Sequence, residues 1–353
     1  MSTLSVCLIV KDEELVLDRC LTCAKDFADE IIVVDTGSTD STIDIARKYT
    51  PHVYTTEWVD DFAYARNVSF GYATCDYVMW LDADDVVTPE NIQKINELKS
   101  NMVADMYMCK YNVGFDGNYV TYSFYRERIV KRNNNYKWHG CVHECITPSG
   151  NIVYTDICIE HHKLKQSDKD RNIAIYENKL KTSTLDARET YYYGRELYYH
   201  ANYKKCIKVM KTFFAMNGYV ENVIDAHIVV SMCYADLKQY DCALHELYKT
   251  FDYDSPRANV CCRIADIFAT KKKYNIAIYW YTIATKCVEN DKKGAFVEND
   301  CYGYYPYMQM CMCYYKLGDM ENARLCNDMA GKIRSDDKVY LHNKQYFVKL
   351  QNK

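Results

Sequence analysis

Short apolar runs alternate with amphipathic stretches over roughly the first 115 residues of this 353-residue chain. Leu4–Val10, Glu30–Asp35 and Tyr77–Leu81 have the length and composition of buried strands, and Val53–Thr56 forms a shorter one. The intervening stretches have the apolar spacing of helices, at residues 13–26, 40–49 and 62–73. This alternation is typical of β-α-β units, so we predict an α/β domain with a mostly parallel sheet.

The character of the chain changes near Lys163, beyond which the apolar spacing is helical to the end. We expect the boundary between the two parts within residues 164–185. The sequence therefore predicts an α/β domain over residues 1–183 and an all-α domain over residues 184–353.

The second part repeats itself. Tyr203, Tyr240 and Tyr274 each open a helix and lie 37 and 34 residues apart, and Met320 opens a fourth unit after an insertion around Glu289–Asp300. A small residue follows each of these positions after three places. A period of about 34 residues is typical of tetratricopeptide-like helix pairs, whose concave face binds peptides in many arrays. We interpret this face as a groove for a peptide or protein; the alternatives are a packing scaffold or a homodimer contact.

The overall composition limits the class of partner. A formal net charge of −4 gives no general attraction to nucleic acid or anionic lipid. No apolar run is long enough for a membrane span or a signal peptide, so we expect a cytoplasmic protein. The 18 cysteines are scattered, often at apolar helical positions, and we interpret them as reduced thiols. Cys20 and Cys23 form a single C-x-x-C, which is insufficient for structural zinc.

Three carboxylates end the strand predicted at residues 77–81: Asp82, Asp84 and Asp85. Open α/β sheets bind their ligands at the carboxyl ends of strands. Asp82 and Asp84 offer the hard oxygen donors that Mg²⁺ or Mn²⁺ prefers, and such ions also bind phosphate oxygens. The pattern therefore favours a metal site for a nucleotide diphosphate. The alternative is a plain turn, in which Asp85 or Thr88 caps the next helix.

A second polar motif follows the strand at residues 30–35. Asp35-Thr-Gly-Ser-Thr-Asp40 supplies a tight turn, a helix cap and acceptors for the donors of a base or ribose. It lacks the glycine pattern of dinucleotide folds and the lysine of a phosphate-binding loop, which disfavours both.

Four motifs occur in order along the first domain: Val10-Lys-Asp-Glu-Glu14, Val33-Val-Asp-Thr-Gly-Ser-Thr-Asp-Ser-Thr42, Asp61-Phe-Ala-Tyr-Ala-Arg-Asn67 and Trp80-Leu-Asp-Ala-Asp84. From residue 4 to about 185 the chain closely resembles inverting family 2 glycosyltransferases of the GT-A fold. The resemblance is strongest to the branch with a helical repeat tail, which includes peptide S- and O-glycosyltransferases.

The resemblance implies a set of site residues for a UDP-sugar. Glu13 and Asp35 match positions that contact ribose and uracil, Asp40 and Arg66 match positions lining the base and diphosphate, and Asp82 and Asp84 match the metal-binding D-x-D. Family members usually have asparagine where this chain has Asp12. Arg66 has an alternative partner in Asp61, one helical turn away.

Four of the nine histidines cluster between residues 139 and 162. Trp138-His-Gly-Cys-Val-His-Glu144 resembles a family segment whose acid lies near the acceptor, so Glu144 is our first candidate for the general base, and Asp85 is the second. His161 matches a histidine that contacts the metal or the diphosphate. His143 is a candidate for the nucleotide-sugar site, or it orients Glu144. A cysteine hydrolase built on Cys141 or Cys145 with His143 is disfavoured, since such close neighbours rarely face one another.

The sequence thus predicts an enzyme that uses Mn²⁺ or Mg²⁺ to transfer a sugar from a UDP-sugar, with inversion, to a peptide or protein side chain. A glycan or lipid-linked acceptor is the alternative substrate. A scaffold with a degenerate transferase domain is the alternative class of protein. The linking atom is open, although a thiol acceptor requires less of a base than a hydroxyl.

Overall fold

The computed structural model describes residues 1–164, 168–289 and 294–351. The chain forms two compact units, Met1–Glu196 and Leu197–Lys353, which are treated separately below. The boundary expected within residues 164–185 stays a prediction, and residues 165–167 of that stretch lie outside the described residues. The α/β and all-α character predicted for the two parts is confirmed.

Unit 1 contains ten strands among its described residues. They are β1 (Leu4–Val10), β2 (Glu30–Asp35), β3 (Val53–Thr55), β4 (Tyr77–Trp80), β5 (Asp85–Val86), β6 (Met106–Asp116), β7 (Tyr119–Lys131), β8 (Trp138–His139), β9 (Cys145–Ile146) and β10 (Ile152–His161). The helices that begin in this unit are α1 (Leu17–Ala24), α2 (Thr42–Ala46), α3 (Phe62–Gly71), α4 (Pro89–Lys99), α5 (Arg171–Lys179) and α6 (Ala187–Tyr199), with a 3₁₀ turn at Arg132–Asn134.

Eight of these strands form one mixed sheet in the order β3-β2-β1-β4-β7-β6-β10-β5. The first four pair in parallel, as the β-α-β alternation predicts. β7 runs antiparallel to β4 and β6, and β6 and β7 form a hairpin whose turn lies near Gly117. β10 returns parallel to β6, and β5 closes this edge antiparallel to β10. Strands β8 and β9 form a separate ribbon.

The central strands are buried on both faces, which explains their continuous apolar sequences. Leu4, Val6 and Leu8 of β1 pack with α1 in one cluster. Cys7 of the same strand packs in a second cluster, with Ala63 of α3. Successive side chains of a strand point to opposite faces, so one short run supplies both layers of the core.

The carboxyl ends of β2, β1 and β4 meet at one edge of the sheet. Val10, the last residue of β1, is in register with Asp35, the last residue of β2. β4 lies on the other side of β1 and ends at Trp80, just before the D-x-D segment. The three motifs that follow these strands therefore share one edge, as the resemblance implies.

Unit 2 is helical. Its helices are α7 (Tyr203–Phe214), α8 (Val220–Asp236), α9 (Tyr240–Lys249), α10 (Ala258–Thr270), α11 (Tyr274–Ala284), α12 (Tyr304–Leu317), α13 (Met320–Ile333) and α14 (Lys338–Gln351). The unit also has short 3₁₀ turns at Thr250–Asp252 and Asn299–Tyr302 and a two-residue strand at Val297–Glu298. The predicted insertion lies between α11 and α12, and its residues 290–293 are outside the described residues.

The repeat is visible in the turns between helices. Ala201, Lys238, Lys272 and Gly318 have φ angles of 54°, 59°, 56° and 82°, and each lies two residues before the start of a predicted repeat helix. A residue in this left-handed conformation commonly ends a helix. The small residues that follow in the sequence are fully buried: Cys206, Ala243, Ala277 and Ala323. The predicted tetratricopeptide-like helix pairs are therefore confirmed.

None of the described helices has the length and apolar character needed to cross a membrane. Each of the 18 cysteines is a free thiol.

Candidate functional site

The D-x-D segment follows β4 and brings carboxylates against a histidine from β10. The ligand atoms of Asp82, Asp85 and His161 lie within 4.8 Å of one another. The Asp84 carboxylate is 3.2 Å from Nδ1 of His161. β5 pairs with the end of β10, with Asp85 in register with His161, so the sheet itself fixes this arrangement. The segments are 76 residues apart in sequence.

Asp85 is the most enclosed member of the group. Its side chain and that of Arg128 on β7 are both 0% exposed, and they form an ion pair of 2.8 Å. The Asp85 carboxylate also accepts hydrogen bonds from the Tyr111 hydroxyl at 2.8 Å and from the backbone N–H of Asp82 at 3.0 Å. These contacts hold the turn between β4 and β5.

Arg66 of α3 joins two of the predicted site residues. Its Nε donates to Glu144 at 2.5 Å, and its Nη2 donates to Asp82 at 2.6 Å. The guanidinium lies 4.6 Å from the ring centre of Trp80 and 4.8 Å from that of Trp138, in cation–π geometry. Its Nη1 is buried and has no hydrogen-bond partner among the residues that the structure describes. The alternative partner, Asp61, instead caps α3 by accepting from the backbone N–H of Tyr64.

The cluster strongly perturbs its titratable groups. Burial opposes ionisation of Asp82, but Arg66 and Arg128 outweigh that effect and hold the pKa of the carboxyl well below its usual range. Burial likewise opposes charge on His161, whereas its hydrogen bonds to Asp84 and Asp85 raise the imidazole pKa to about 10. At this edge of the sheet, carboxylates and cationic side chains therefore stabilise one another's charged forms.

Glu144 lies in the loop between β8 and β9, and only 9% of its surface is exposed. His143, the preceding residue, points elsewhere: its Nε2 is 2.9 Å from Glu196, and its ring stacks on Tyr192 at 4.4 Å. His143 adopts a φ of +53°, a left-handed conformation that is uncommon for a residue with a side chain. Both partners of the His143 side chain belong to α6.

The loops after β1 and β2 form a second, adjoining group. The Asp35 carboxylate is buried and accepts from the backbone N–H groups of Gly37 and Ser38 at 2.9 and 3.0 Å. Asp40 accepts from the N–H and hydroxyl of Thr42 at the start of α2, and from the N–H of Glu14. The Glu13 N–H donates to the Thr42 hydroxyl at 2.7 Å. Glu13 and Asp40 are half-buried.

The structure thus brings Arg66, Asp82, Asp84, Glu144 and His161 into one cluster. Glu13, Asp35 and Asp40 form the neighbouring group, and the described contacts of the His143 side chain are with α6. Two members of the cluster were not predicted, Tyr111 and Arg128. Arg128 follows Arg126 and Glu127 in β7, and such a run of charged residues does not indicate which of them forms a buried ion pair.

The donor set of the cluster fits a divalent cation. Carboxylate oxygens suit both Mg²⁺ and Mn²⁺, and an imidazole among them favours Mn²⁺. Asp82, Asp84 and His161 would hold the ion, because Asp85 is already neutralised by Arg128. The cation would compete with Arg66 for Asp82.

Comparison with known proteins identifies a family model and several relatives that this chain resembles. Residues 5–152 match the family model described as glycosyl transferase family 2. The chain is 30% identical over 234 residues to the SPbeta prophage-derived glycosyltransferase SunS of Bacillus subtilis, a match that covers 62% of this chain and 54% of SunS. It is 42% identical over 102 residues to a TPR repeat-containing protein of Synechococcus elongatus, covering 29% of this chain and 25% of that protein.

Among solved structures, S. aureus TarS 1-349 aligns with 82% of this chain and 93% of its own, at 14% identity and a TM-score of 0.37. The matched region of SunS is about half its length. The match to the family 2 model covers residues 5–152, which is less than half of the chain. The resemblance to this family that the four motifs indicate is therefore confirmed, and tetratricopeptide-like helices follow the matched stretch.

Proposed function

We propose that this protein is a metal-dependent inverting glycosyltransferase that moves a sugar from a UDP-sugar to a peptide or protein side chain. The observation that carries the proposal is the position of Arg66, which bridges Asp82 of the D-x-D segment and Glu144. Arg66, as the phosphate-binding cation, would thereby join a metal ligand, Asp82, to the candidate base, Glu144.

The chain's own residues account for donor binding. Asp82, Asp84 and His161 would hold Mn²⁺ or Mg²⁺, which supplies positive charge to the diphosphate and to the leaving UDP. The buried Nη1 of Arg66, which has no partner in the described part of the chain, is suited to a phosphate oxygen. Glu13, Asp35 and Asp40 would line the nucleoside, with Asp35 shaping the turn at Gly37 and Ser38 rather than offering an exposed carboxylate.

Glu144 is the favoured general base. It would take the proton of the acceptor hydroxyl or thiol as that atom bonds to the anomeric carbon, while the bond from this carbon to the diphosphate oxygen breaks on the opposite face. Asp85 is less suitable, because its buried carboxylate is fully engaged by Arg128, Tyr111 and backbone. Asp85 would instead fix the turn that presents Asp82.

A peptide or protein acceptor is supported by the helical repeats of unit 2. Several tyrosines of this unit are exposed by 40% or more, and aromatic side chains are enriched where proteins bind one another. These residues are Tyr199, Tyr219, Tyr248, Tyr253, Tyr279 and Tyr315.

The test is a donor screen. UDP release from a panel of UDP-sugars would be measured with Mn²⁺, with Mg²⁺ and with EDTA, using lysate of the native host as the acceptor source and intact-protein mass as the readout for the acceptor. We expect release with one donor, loss of activity in EDTA, and a decrease of about 100-fold or more in D82N and D84N. D44N is the matched control, since Asp44 is exposed on α2.

The scaffold alternative predicts a different result. Ligand at 100 times its dissociation constant stabilises a folded protein by about 2.7 kcal/mol. No shift in melting temperature with UDP and Mn²⁺, together with no UDP release, would favour the scaffold. Full activity in EDTA would contradict the metal-dependent mechanism.

A further inference from the structure

The loop that carries Glu144 is fixed through its backbone by four different elements. The carbonyl of Cys141 accepts from the N–H of Phe62 at 2.9 Å, and the carbonyl of Val142 accepts from the Tyr176 hydroxyl at 3.2 Å. The next two carbonyls, of residues 143 and 144, accept from Arg188 and Arg126 at 2.9 and 3.0 Å. These donors come in turn from α3, α5, α6 and β7.

Two of these elements, α5 and α6, lie beyond residues 5–152, the stretch that matches the family model. Their contacts with the loop are specific. Tyr176 is fully buried and donates to a single backbone carbonyl. Glu189 of α6 pairs with Lys179 of α5 and accepts from the Cys141 thiol. The helices that follow the matched stretch therefore complete the enclosure of this loop.

The His143 side chain contacts two residues of α6, Tyr192 and Glu196. Its ring stacks on Tyr192 with an interplanar angle of 17°, and its Nε2 is 2.9 Å from a Glu196 carboxylate oxygen. The same oxygen accepts from Asn172 of α5 at 3.0 Å. Glu196 and Tyr192 are 6% and 8% exposed, so α6 presents buried partners to a His143 side chain that is itself 36% exposed.

The backbone of His143 requires such support. The left-handed region is unfavourable for a residue with a side chain, and such a conformation persists when surrounding contacts determine it. The peptide after His143 sets the direction of Glu144. A relaxation of His143 to a negative φ would rotate that peptide and move the Glu144 carboxylate away from Arg66.

We propose that Tyr192 and Glu196 of α6 are positioning residues for the transfer reaction. They hold His143 in its left-handed conformation and thereby direct Glu144 toward Arg66 and the acceptor. The inference rests on the proposed function in its assignment of Glu144 as the base. Its structural part, the support of the loop by α6, stands on the contacts alone.

The test compares paired variants in the full-length protein. Y192L removes the ring that stacks on His143, whereas Y192F keeps it. E196A removes the acceptor for the His143 imidazole, whereas E196Q keeps an oxygen that accepts a hydrogen bond. Each variant would be assayed for kcat and donor KM with the sugar found by the donor screen, for UDP affinity with Mn²⁺, and for hydrogen–deuterium exchange in the peptide covering residues 139–147.

We expect kcat to fall by about 10–100-fold in Y192L and E196A, because small displacements of a reacting group have effects of this size. Donor KM and UDP affinity should stay within about twofold, because Arg66 keeps its ion pair with Asp82 and its contacts with Trp80 and Trp138. Y192F and E196Q should retain most of kcat. Exchange should become faster in residues 139–147 of Y192L and E196A and stay unchanged in the peptide covering residues 30–40.

The two proposals fail separately. Faster exchange at residues 139–147 in a protein that releases no UDP would support the role of α6 and contradict the proposed function. Unchanged exchange and unchanged kcat in Y192L and E196A would overturn the positioning role. A fall in kcat of equal size in Y192F and E196Q would overturn it as well, because those variants keep the contacts invoked.

Discussion

Two carboxylate clusters lie at the same edge of the sheet and are held in different ways. The first cluster consists of Asp35, at the end of β2, and of Asp12 and Asp40, in the loops after β1 and β2. Its described hydrogen bonds come from backbone N–H groups and hydroxyls close by, such as those of Gly37, Ser38 and Thr42. The backbone of these two loops therefore places the carboxylates, in part across the loops, since Asp12 accepts from Thr39 and Asp40 accepts from Glu14.

The second cluster consists of Asp82, Asp84 and Asp85, after β4, and it is held by charge from distant parts of the chain. Arg66 and Arg128 pair with Asp82 and Asp85, and His161 contacts Asp84. Buried charges depend strongly on their partners, whereas a lost backbone contact has a smaller, local effect. The comparison suggests that the first cluster shapes the binding surface and that the second supplies electrostatic stabilisation.

Loss of the Arg128 charge should have the largest effect on stability. R128M leaves Asp85 buried without its ion-pair partner, and breaking a fully buried pair from one side costs about 3–5 kcal/mol. Urea unfolding followed by circular dichroism measures this difference. R47M is the control, since Arg47 and Asp44 form an exposed pair 3.9 Å apart, for which we expect less than about 1 kcal/mol. A cost below about 1 kcal/mol for R128M would contradict the distinction between the clusters.

The second cluster should also make stability depend on pH in metal-free protein. The pKa of His161 is raised to about 10 in the folded state, above its unfolded value near 6.5. Its contribution is therefore fully present below about pH 6.5 and is lost as the pH rises from there toward 10. Urea unfolding in EDTA at several pH values in this range should show a decline of a few kcal/mol that is smaller in H161Q. Parallel profiles for H161Q and the unmodified protein would contradict the assignment.

The first cluster should respond more weakly to substitution. D40A removes the acceptor for the Thr42 N–H and hydroxyl at the start of α2, and for the Glu14 N–H. We expect a loss of about 1–2 kcal/mol, which is typical for hydrogen bonds at a helix N-terminus. D40N, which keeps an acceptor oxygen, should lose less in the same unfolding measurement. Equal losses in the two variants would mean that charge, rather than hydrogen bonding, determines the effect.

The difference between the two clusters also explains which parts of the fold and of the candidate site could be predicted from the sequence. β1 and β2 were predicted to the residue, because each is an apolar run bounded by polar residues, and their motifs follow within a few positions. Arg128 lies 43 residues from Asp85 in sequence, and Tyr111 lies 26 residues away. Their roles depend on the register of the β6–β7 hairpin, which alternation of residue types alone does not fix. The partners of His143, Tyr192 and Glu196, are 49 and 53 residues away in α6. The sequence analysis placed that helix in the all-α domain of residues 184–353.

The smallest effect is expected at Asp12, where this chain departs from the asparagine usual in family 2 enzymes. Asp12 has a φ of +53°, and its Oδ1 accepts from the N–H and hydroxyl of Thr39 at 2.7 and 3.2 Å. Asparagine adopts left-handed backbone as readily as aspartate and has an equivalent Oδ1 acceptor, so D12N should change stability by less than about 0.5 kcal/mol. D12V is the matched control, because a β-branched residue is strained at positive φ and cannot accept the Thr39 hydrogen bonds. If D12N were as unstable as D12V, the carboxylate charge of Asp12 would be essential, and the first cluster would depend on electrostatics in the same way as the second.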